Sequence, residues 1–362
     1  MGFSPRSNLF PPAPPIQYDA RLQALTEKAS GALGRLDSVA THLPSPELLL
    51  YTYIRKEAVL SSQIEGSRAS LADLLLLENE EAPGAPPEDV RGVSNYVAAL
   101  EHGVKRLRDL PPGIPLLREV HAILLPGSVE FATPPALDAF EKFIQGEPSP
   151  TPTLIKAGLA HAQFENIRPF QKGNGRLGRM LITLILISEG TLSAPLLYLS
   201  LYFKARQAEY FEALRRVRTD GDWEGWLAFY LTGVAETAGQ ASDAATKLTA
   251  LFQEHAAAVE GLGRSRETAL RAHDLFKKRC ILSIPVVSRE LGVSFPTANK
   301  TLRKLQQLGF VREITGKQRH RVFSYAPYLQ MLREESEWES SERVGFEPTE
   351  AVRPRQFSRL VP

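Results

Sequence analysis

A single cysteine, Cys280, among 362 residues leaves no partner for an internal disulfide. That fits a reducing compartment, so a cytoplasmic location is expected. No motif surrounds Cys280, which reads as a small apolar core residue rather than a nucleophile. Long apolar runs are missing too. The longest mainly apolar stretch, 180–187, falls far short of the roughly 20 residues a membrane helix needs, so no membrane partner is expected. The N-terminal MGFSPRSNLFPPAPP has no signal-peptide apolar core, and Arg6 stands where a myristoylation pattern needs Ser or Thr. Neither sign of charge dominates: 43 Lys and Arg against 41 Asp and Glu give a net charge of +2, which assigns no partner.

The hydrophobic content of 43% supports ordinary cores, and the length suggests two or three domains. Apolar spacing of three and four residues dominates, so the fold class is mainly α. The pattern predicts helices over 18–40, 47–65, 69–78, 87–108, 115–125, 134–145, 153–166, 176–189, 201–218, 222–238 and 240–260. Residues 1–17 are Pro-rich and read as flexible. The charged, Pro- and Ser-containing stretch 333–362 reads as a disordered tail.

The most informative run is HAQFENIRPFQKGNGRLGRM, residues 161–180. Gly173, Asn174 and Gly175 make a tight turn that opens onto an apolar helix. Such a turn aims backbone N–H groups at an anion, and the helix N-terminus adds partial positive charge. Arg176 and Arg179, three apart on one helix face, add donors suited to phosphate.

This run resembles the Fic family, whose members transfer AMP from ATP to a protein hydroxyl. The family pattern H-P-F-x-[D/E]-G-N-G-R-x-x-R is matched by Pro169, Phe170, Gly173, Asn174, Gly175, Arg176 and Arg179. Two positions depart. Arg168 stands at the catalytic histidine, and Lys172 at the metal-binding acid. A general base must exist unprotonated near working pH, which imidazole does and guanidinium, with a pKa above about 12, does not. Lys172 cannot ligate the Mg²⁺ that the resemblance implies, although its charge could contact phosphate directly. The resemblance therefore implies a nucleotide site, with ATP as ligand, that holds an anion better than it reacts one. The residues also allow Arg168 and Lys172 to be merely solvated. His161, seven residues before Arg168, reads as a packing or capping residue of the helix that delivers the loop.

A second signal lies in YIRKEAVLSSQIEGS, residues 53–67. Ser61, Glu65 and Gly66 match the family's inhibitory pattern, [S/T]-x-x-x-E-[G/N]. Ser61 and Glu65 share a helix face, and Gly66 is able to end the helix at positive φ. By the resemblance, Glu65 pairs with Arg179 and blocks productive placement of the ATP γ-phosphate. The hairpin flap with which active members align their protein target is not visible in the sequence, beyond a few residues around 129–132. Its protein target is unassigned.

Residues 280–327 have a helix-turn-helix layout: a short helix over 284–291, a turn at Gly292, a Ser294 cap, a second helix over 296–308, and two strands around Gly316. Eight Lys or Arg against two Glu make 280–325 net +6, an electrostatic footprint for phosphate backbones. As a winged helix-turn-helix, the module would offer Ser294, Thr297, Asn299, Lys300, Arg303 and Lys304 to DNA. A winged helix used for protein contact or oligomer formation is the competing reading. Longer Fic proteins commonly end in such a module. The expected organisation is N-terminal helices with the inhibitory motif over 18–84, a Fic core over 85–260 and a winged helix over 264–332. Two functions remain open: an AMP-transfer fold that binds nucleotide without transfer and regulates, or a working transferase with altered chemistry.

Overall fold

The computed structural model describes residues 12, 15–43, 46–78, 88–128, 136–146, 150–316 and 321–332. The expectations for the flap around 129–132, for the 333–362 tail and for most of 1–17 lie outside these residues. Among them no helix is long and apolar enough to cross a membrane.

Helices dominate, as the apolar spacing predicts. The N-terminal part contains α1 (Ala20–Thr41), α2 (Pro46–Ile64) and α3 (Leu71–Leu77). Asp19 caps α1 by accepting from the Leu22 N–H, and Ser70 with Asp73 closes a capping box on α3. The core then runs through α4 (Glu88–Arg106), α5 (Ile114–Leu124), α6 (Ala136–Ile144), α7 (Thr153–Ile167) and α8 (Asn174–Ser188). It closes with α9 (Ser200–Ala205), α10 (Gln207–Asp220) and α11 (Trp223–Glu260).

Close helix pairs set the scaffold. Ala29, Ala32, Leu33 and Leu36 of α1 are buried, as are Ala238, Ala241, Ala245 and Leu248 of α11, and these two helices pack along each other. Small side chains permit that approach. On α7, Gly158 lies under the Tyr230 ring, where an added Cβ would come within 2.7 Å, and its carbonyl accepts from the Trp226 indole at 2.8 Å. On α8, Gly178 packs against His161, so α7 and α8 lie side by side and present the loop between them.

Most helix bounds fall within two residues of the sequence expectation, and three departures have a structural cause. The helices expected at 222–238 and 240–260 are one 38-residue helix, α11. Gly239 costs helix propensity, but the buried Ala stripe facing α1 runs straight through it and outweighs that cost. The helix expected over 201–218 breaks at Arg206 (φ −116°, ψ 43°). No local breaker marks the position. Tertiary contacts hold it: the Arg206 guanidinium sits 4.2 Å over the Tyr202 ring and pairs with Glu236 at 3.3 Å. Helix α8 starts earlier than 176, because Gly173 at positive φ caps it.

The C-terminal part holds α12 (Arg266–Phe276), β1 (Ile281–Ser283), α13 (Ile284–Leu291), α14 (Phe295–Gln307), β2 (Val311–Glu313) and β3 (Val322–Tyr325). The strands form an antiparallel sheet in the order β1-β3-β2, with Leu282 opposite Phe323 and Arg312 opposite Ser324. Both helices of the expected helix-turn-helix are present, with Gly292 at φ 65° between them and Ser294 capping α14. Sequence reading missed α12 and β1. The three residues of β1 are all buried and find their partner about 40 positions away, beyond the reach of periodicity.

A buried polar joint ties α11 to this C-terminal part. The Tyr325 hydroxyl bonds His255 Nδ1 at 2.8 Å and His273 Nε2 at 2.9 Å, and Phe310 stacks on His255 at 3.6 Å. Burial, helped by Lys277 and His255, pushes His273 down to about 4; burial also lowers His255. The unfolded chain, with histidines near pH 6.5, then binds more protons than the folded one in the window between. Stability is therefore full above about pH 6.5 and falls as pH drops toward 4, by at most about 1.4 kcal/mol per pH unit for each histidine. The share of His273 is read as the difference between wild type and His273→Gln in urea unfolding at pH 7 and pH 5. An identical pH dependence in the two proteins would contradict it.

Candidate functional site

The loop between α7 and α8 is shaped by its own residues. Arg168 ends α7 in the left-handed region (φ 49°, ψ 64°), and its N–H bonds the Phe164 carbonyl at 2.9 Å. It is the one non-glycine residue with positive φ among the described residues. The strain is local to a loop that everything around it holds. Asn174 folds back on that loop: its Oδ1 accepts from the Phe170 N–H at 3.0 Å and its Nδ2 donates to the Phe170 carbonyl at 2.6 Å. Phe170 is buried and stacks on His121 with ring centroids 3.8 Å apart. His121 Nε2 lies 2.9 Å from the Lys172 carbonyl. A carbonyl only accepts, so this nitrogen carries the proton. Gly173 takes φ 81°, and a Cβ there would strike Leu125 at 2.6 Å. Glycine is required at 173 on both counts.

Two arginines follow on α8. Arg179 is 3% exposed. Its Nε donates to Ser61 Oγ at 2.8 Å, and its Nη2 donates to the Ser61 carbonyl and to Glu65 Oε1, both at 2.9 Å. The Tyr210 hydroxyl lies 3.5 Å from its Nη1. Burial works against the Arg179 charge, but Tyr210, Glu65 and Glu165 outweigh it and hold the guanidinium above its ordinary value. Arg176 is half-buried; burial lowers its pKa, and its Nε has no hydrogen-bond partner. Buried N–H groups are normally satisfied, so this donor marks an unfilled acceptor position.

Glu65 fills the rest of the space. It follows the end of α2, where Gly66 turns the chain at φ 94°. A Cβ on Gly175 would lie 2.2 Å from Glu65 Oε1 and 3.2 Å from Arg179 Nη1. The missing side chain at 175 is thus what lets a carboxylate sit at the α8 N-terminus. The structure brings together Ser61, Glu65, Gly66, Gly173, Asn174, Gly175, Arg176 and Arg179. It leaves Arg168 and Lys172 exposed, with no ion pair among the described residues. Among those residues no three His, Cys, Asp or Glu side chains group to hold a metal ion, and Lys172 brings an ammonium rather than a carboxylate to the loop.

Sequence reading missed three groups around the loop: His121, Tyr210 and Glu165. Burial raises the Glu165 pKa, against the opposing charge of Arg179. His161 packs as expected: it is fully buried, stacks on Phe203 and Tyr210, and meets the Tyr210 hydroxyl with Nε2 at 2.9 Å. Burial lowers its pKa to about 3.

On α14, Thr297, Lys300 and Arg303 are exposed, and Ser294 Oγ meets Thr297 Oγ1 at 2.9 Å. Asn299 and Lys304 are partly engaged within the chain. Arg321 donates to Asn299 Oδ1 at 2.7 Å, and Lys304 donates to Ser265.

Comparison with known proteins places this geometry. Residues 23–105 match the Fic/DOC family N-terminal region, and residues 97–186 match the Fic/DOC family. A solved Fic family protein from Desulfovibrio desulfuricans G20 is 18% identical, covering 86% of this chain and 98% of its own with a TM-score of 0.53. A Fic-domain signaling protein from Bacteroides thetaiotaomicron (18% identical, 64% of this chain and 97% of its own, TM-score 0.44) is also similar. So is Fic-1 from C. elegans (19% identical, 63% and 74%, TM-score 0.47).

The Gly175 contact yields a stability test. Gly175→Ala should force Glu65 away from Arg179 and cost about 1–3 kcal/mol as an overpacked site. Adding Glu65→Ala removes the clash, so the double variant should lose at least about 1 kcal/mol less than the two single losses combined. Strict additivity in denaturant unfolding would place the Glu65 carboxylate elsewhere.

Proposed function

This chain belongs to the Fic family, and from its loop geometry we propose that it binds a nucleotide polyphosphate at residues 173–179 without transferring AMP. One observation carries the reading. A buried, fully charged Arg179 at a helix N-terminus is neutralised by a carboxylate that a phosphate could replace. In the bound state the anion takes the place of Glu65 over Gly175. Arg179 supplies donors, the α8 amides face it, and the Arg176 Nε gains an acceptor. The family's activity is AMP transfer to protein hydroxyls, and the half of the site that reacts is what this chain lacks. Arg168 cannot accept a proton. His161 is enclosed by aromatic rings, and His121 Nε2 is committed as a donor to the Lys172 carbonyl. Mg²⁺ would supply charge neutralisation on phosphate in the family; here Lys172 offers that charge from the exposed loop and no ligand.

The output is read as DNA binding by the C-terminal module, a winged helix with α14 as its recognition helix. The exposed Thr297, Lys300 and Arg303, on a segment of net +6, support it. A transferase with altered chemistry is the alternative, and the same experiment separates them.

Calorimetric titration with ATP should give binding that needs no Mg²⁺, and Glu65→Gly should tighten it about tenfold, or about 1.4 kcal/mol. Unchanged affinity would remove the blocking role. Labelled ATP with Mg²⁺ should leave no AMP on any protein, with or without Glu65. Robust labelling by the unmodified chain would establish the transferase reading instead.

Duplex DNA should bind the full chain with an affinity that falls steeply with salt, each phosphate contact adding about −0.9 to the slope of log K against log salt. Arg303→Ala should reduce that slope by about one contact. No DNA binding at low salt would move the module to a protein-contact role.

A further inference from the structure

Helix α2 carries an unusual load of buried polar groups. Thr52, Arg55, Lys56, Glu57, Ser61 and Ser62 are all buried on it. They divide between the two ends of the molecule. At its C-terminal end, Ser61 and Glu65 hold Arg179 of the loop. Near its middle, Thr52 is hydrogen-bonded to the Tyr328 hydroxyl, which follows β3 in the C-terminal module. Both partners of that bond are almost fully buried. Between these points Glu57 accepts from the Ser200 N–H at 3.0 Å and from the Tyr96 hydroxyl at 3.3 Å.

Two solvent-open clefts flank the module side of α2. A cavity of about 360 Å³ lies between Tyr51 and Arg55 of the helix and Ile281, Leu282 and Val286 of β1 and α13. A second, of about 250 Å³, lies between Val59 and Leu60 and the module's Leu329 and Leu332. The C-terminal end of α2 is tied by the part-exposed Glu65–Arg179 ion pair beside the bonds from Arg179 to Ser61 and from Gln207 to the Ile64 carbonyl, and the space along its module side leaves room for a small shift. Packed interiors otherwise resist such movement.

We propose that α2 transmits the state of the loop to the C-terminal module. When an anion replaces Glu65 on Arg179, the C-terminal end of α2 loses one of its ties and shifts, and the movement is taken up at the Thr52–Tyr328 seam and in the two cavities. The loop and the α14 face are then linked sites, and by reciprocity each ligand alters the affinity of the other by one common factor. This inference rests on the anion-binding reading for its natural trigger, but Glu65→Ala removes the same tie with no ligand present.

Hydrogen exchange on the full-length chain tests it, with ATP as the probe. Amides of α13 and β3 should exchange at least threefold faster in Glu65→Ala than in wild type, and likewise in wild type saturated with ATP. The pair Thr52→Val with Tyr328→Phe removes the seam hydrogen bond at nearly constant volume. It should bind ATP as wild type does and lose the response. Thr52→Ser, which keeps the hydroxyl and guards against a merely disruptive change, should retain it. ATP binding with unchanged exchange in 281–325 overturns the linkage and leaves the anion reading standing. A response to Glu65→Ala without ATP binding supports the linkage and overturns the anion reading. No response to either overturns the linkage.

Discussion

The structure around the loop depends on one buried charge. Arg179 is almost fully enclosed, and its guanidinium stays charged there. An uncompensated charge in such a place costs several kcal/mol, so the chain must supply a counter-anion or admit one. Everything near it follows from that need. Ser61 turns both its hydroxyl and its carbonyl to the guanidinium. Gly175 leaves out the side chain that would keep a carboxylate away. Glu65 closes the pair, yet its side chain is 39% exposed. The deeper partner is fixed and the shallower one is free to leave. In the reading proposed above, that asymmetry makes the pair a stopper rather than a structural rivet, with Glu65 placed directly after the end of α2.

How much of this was legible in sequence follows from how the information is stored. The glycine turn is written in consecutive residues, and the special φ of Gly173 and the close approach at Gly175 are backbone demands that only glycine meets. The pairing of Ser61 and Glu65 was legible through spacing, since residues four apart share a helix face, and both meet Arg179. The fold class was legible through apolar periodicity. His121 and Tyr210 were not, because they meet the loop from 51 and 31 positions away and no local pattern announces them. Strand β1 and the unbroken α11 failed for a related reason: a three-residue strand and a helix passing through Gly239 are decided by what packs on them. The free Nε of Arg176 and the seam beneath α2 exist only in three dimensions.

The same division separates what the fold demands of this loop from what it leaves open. The residues that shape the anion position are interlocked. Asn174 is bonded twice to Phe170, Phe170 stacks on His121, His121 holds the Lys172 carbonyl, and Arg179 is bonded on every side. Replacing any of these disturbs several partners. At 168 and 172 the fold makes demands on the backbone alone: a left-handed turn at Arg168 and a carbonyl directed at His121 from Lys172. Their side chains are exposed, and the Arg168 charge acts on the nearby Glu165. In the proposed reading, the base and the metal ligand that the family resemblance assigns to 168 and 172 are therefore the side chains on which the loop's shape depends least, and the cations present there add positive charge beside the α8 N-terminus. In the proposed reading, binding and reaction rest on separable residues of one loop, so the shape that holds an anion does not depend on the side chains that would react it.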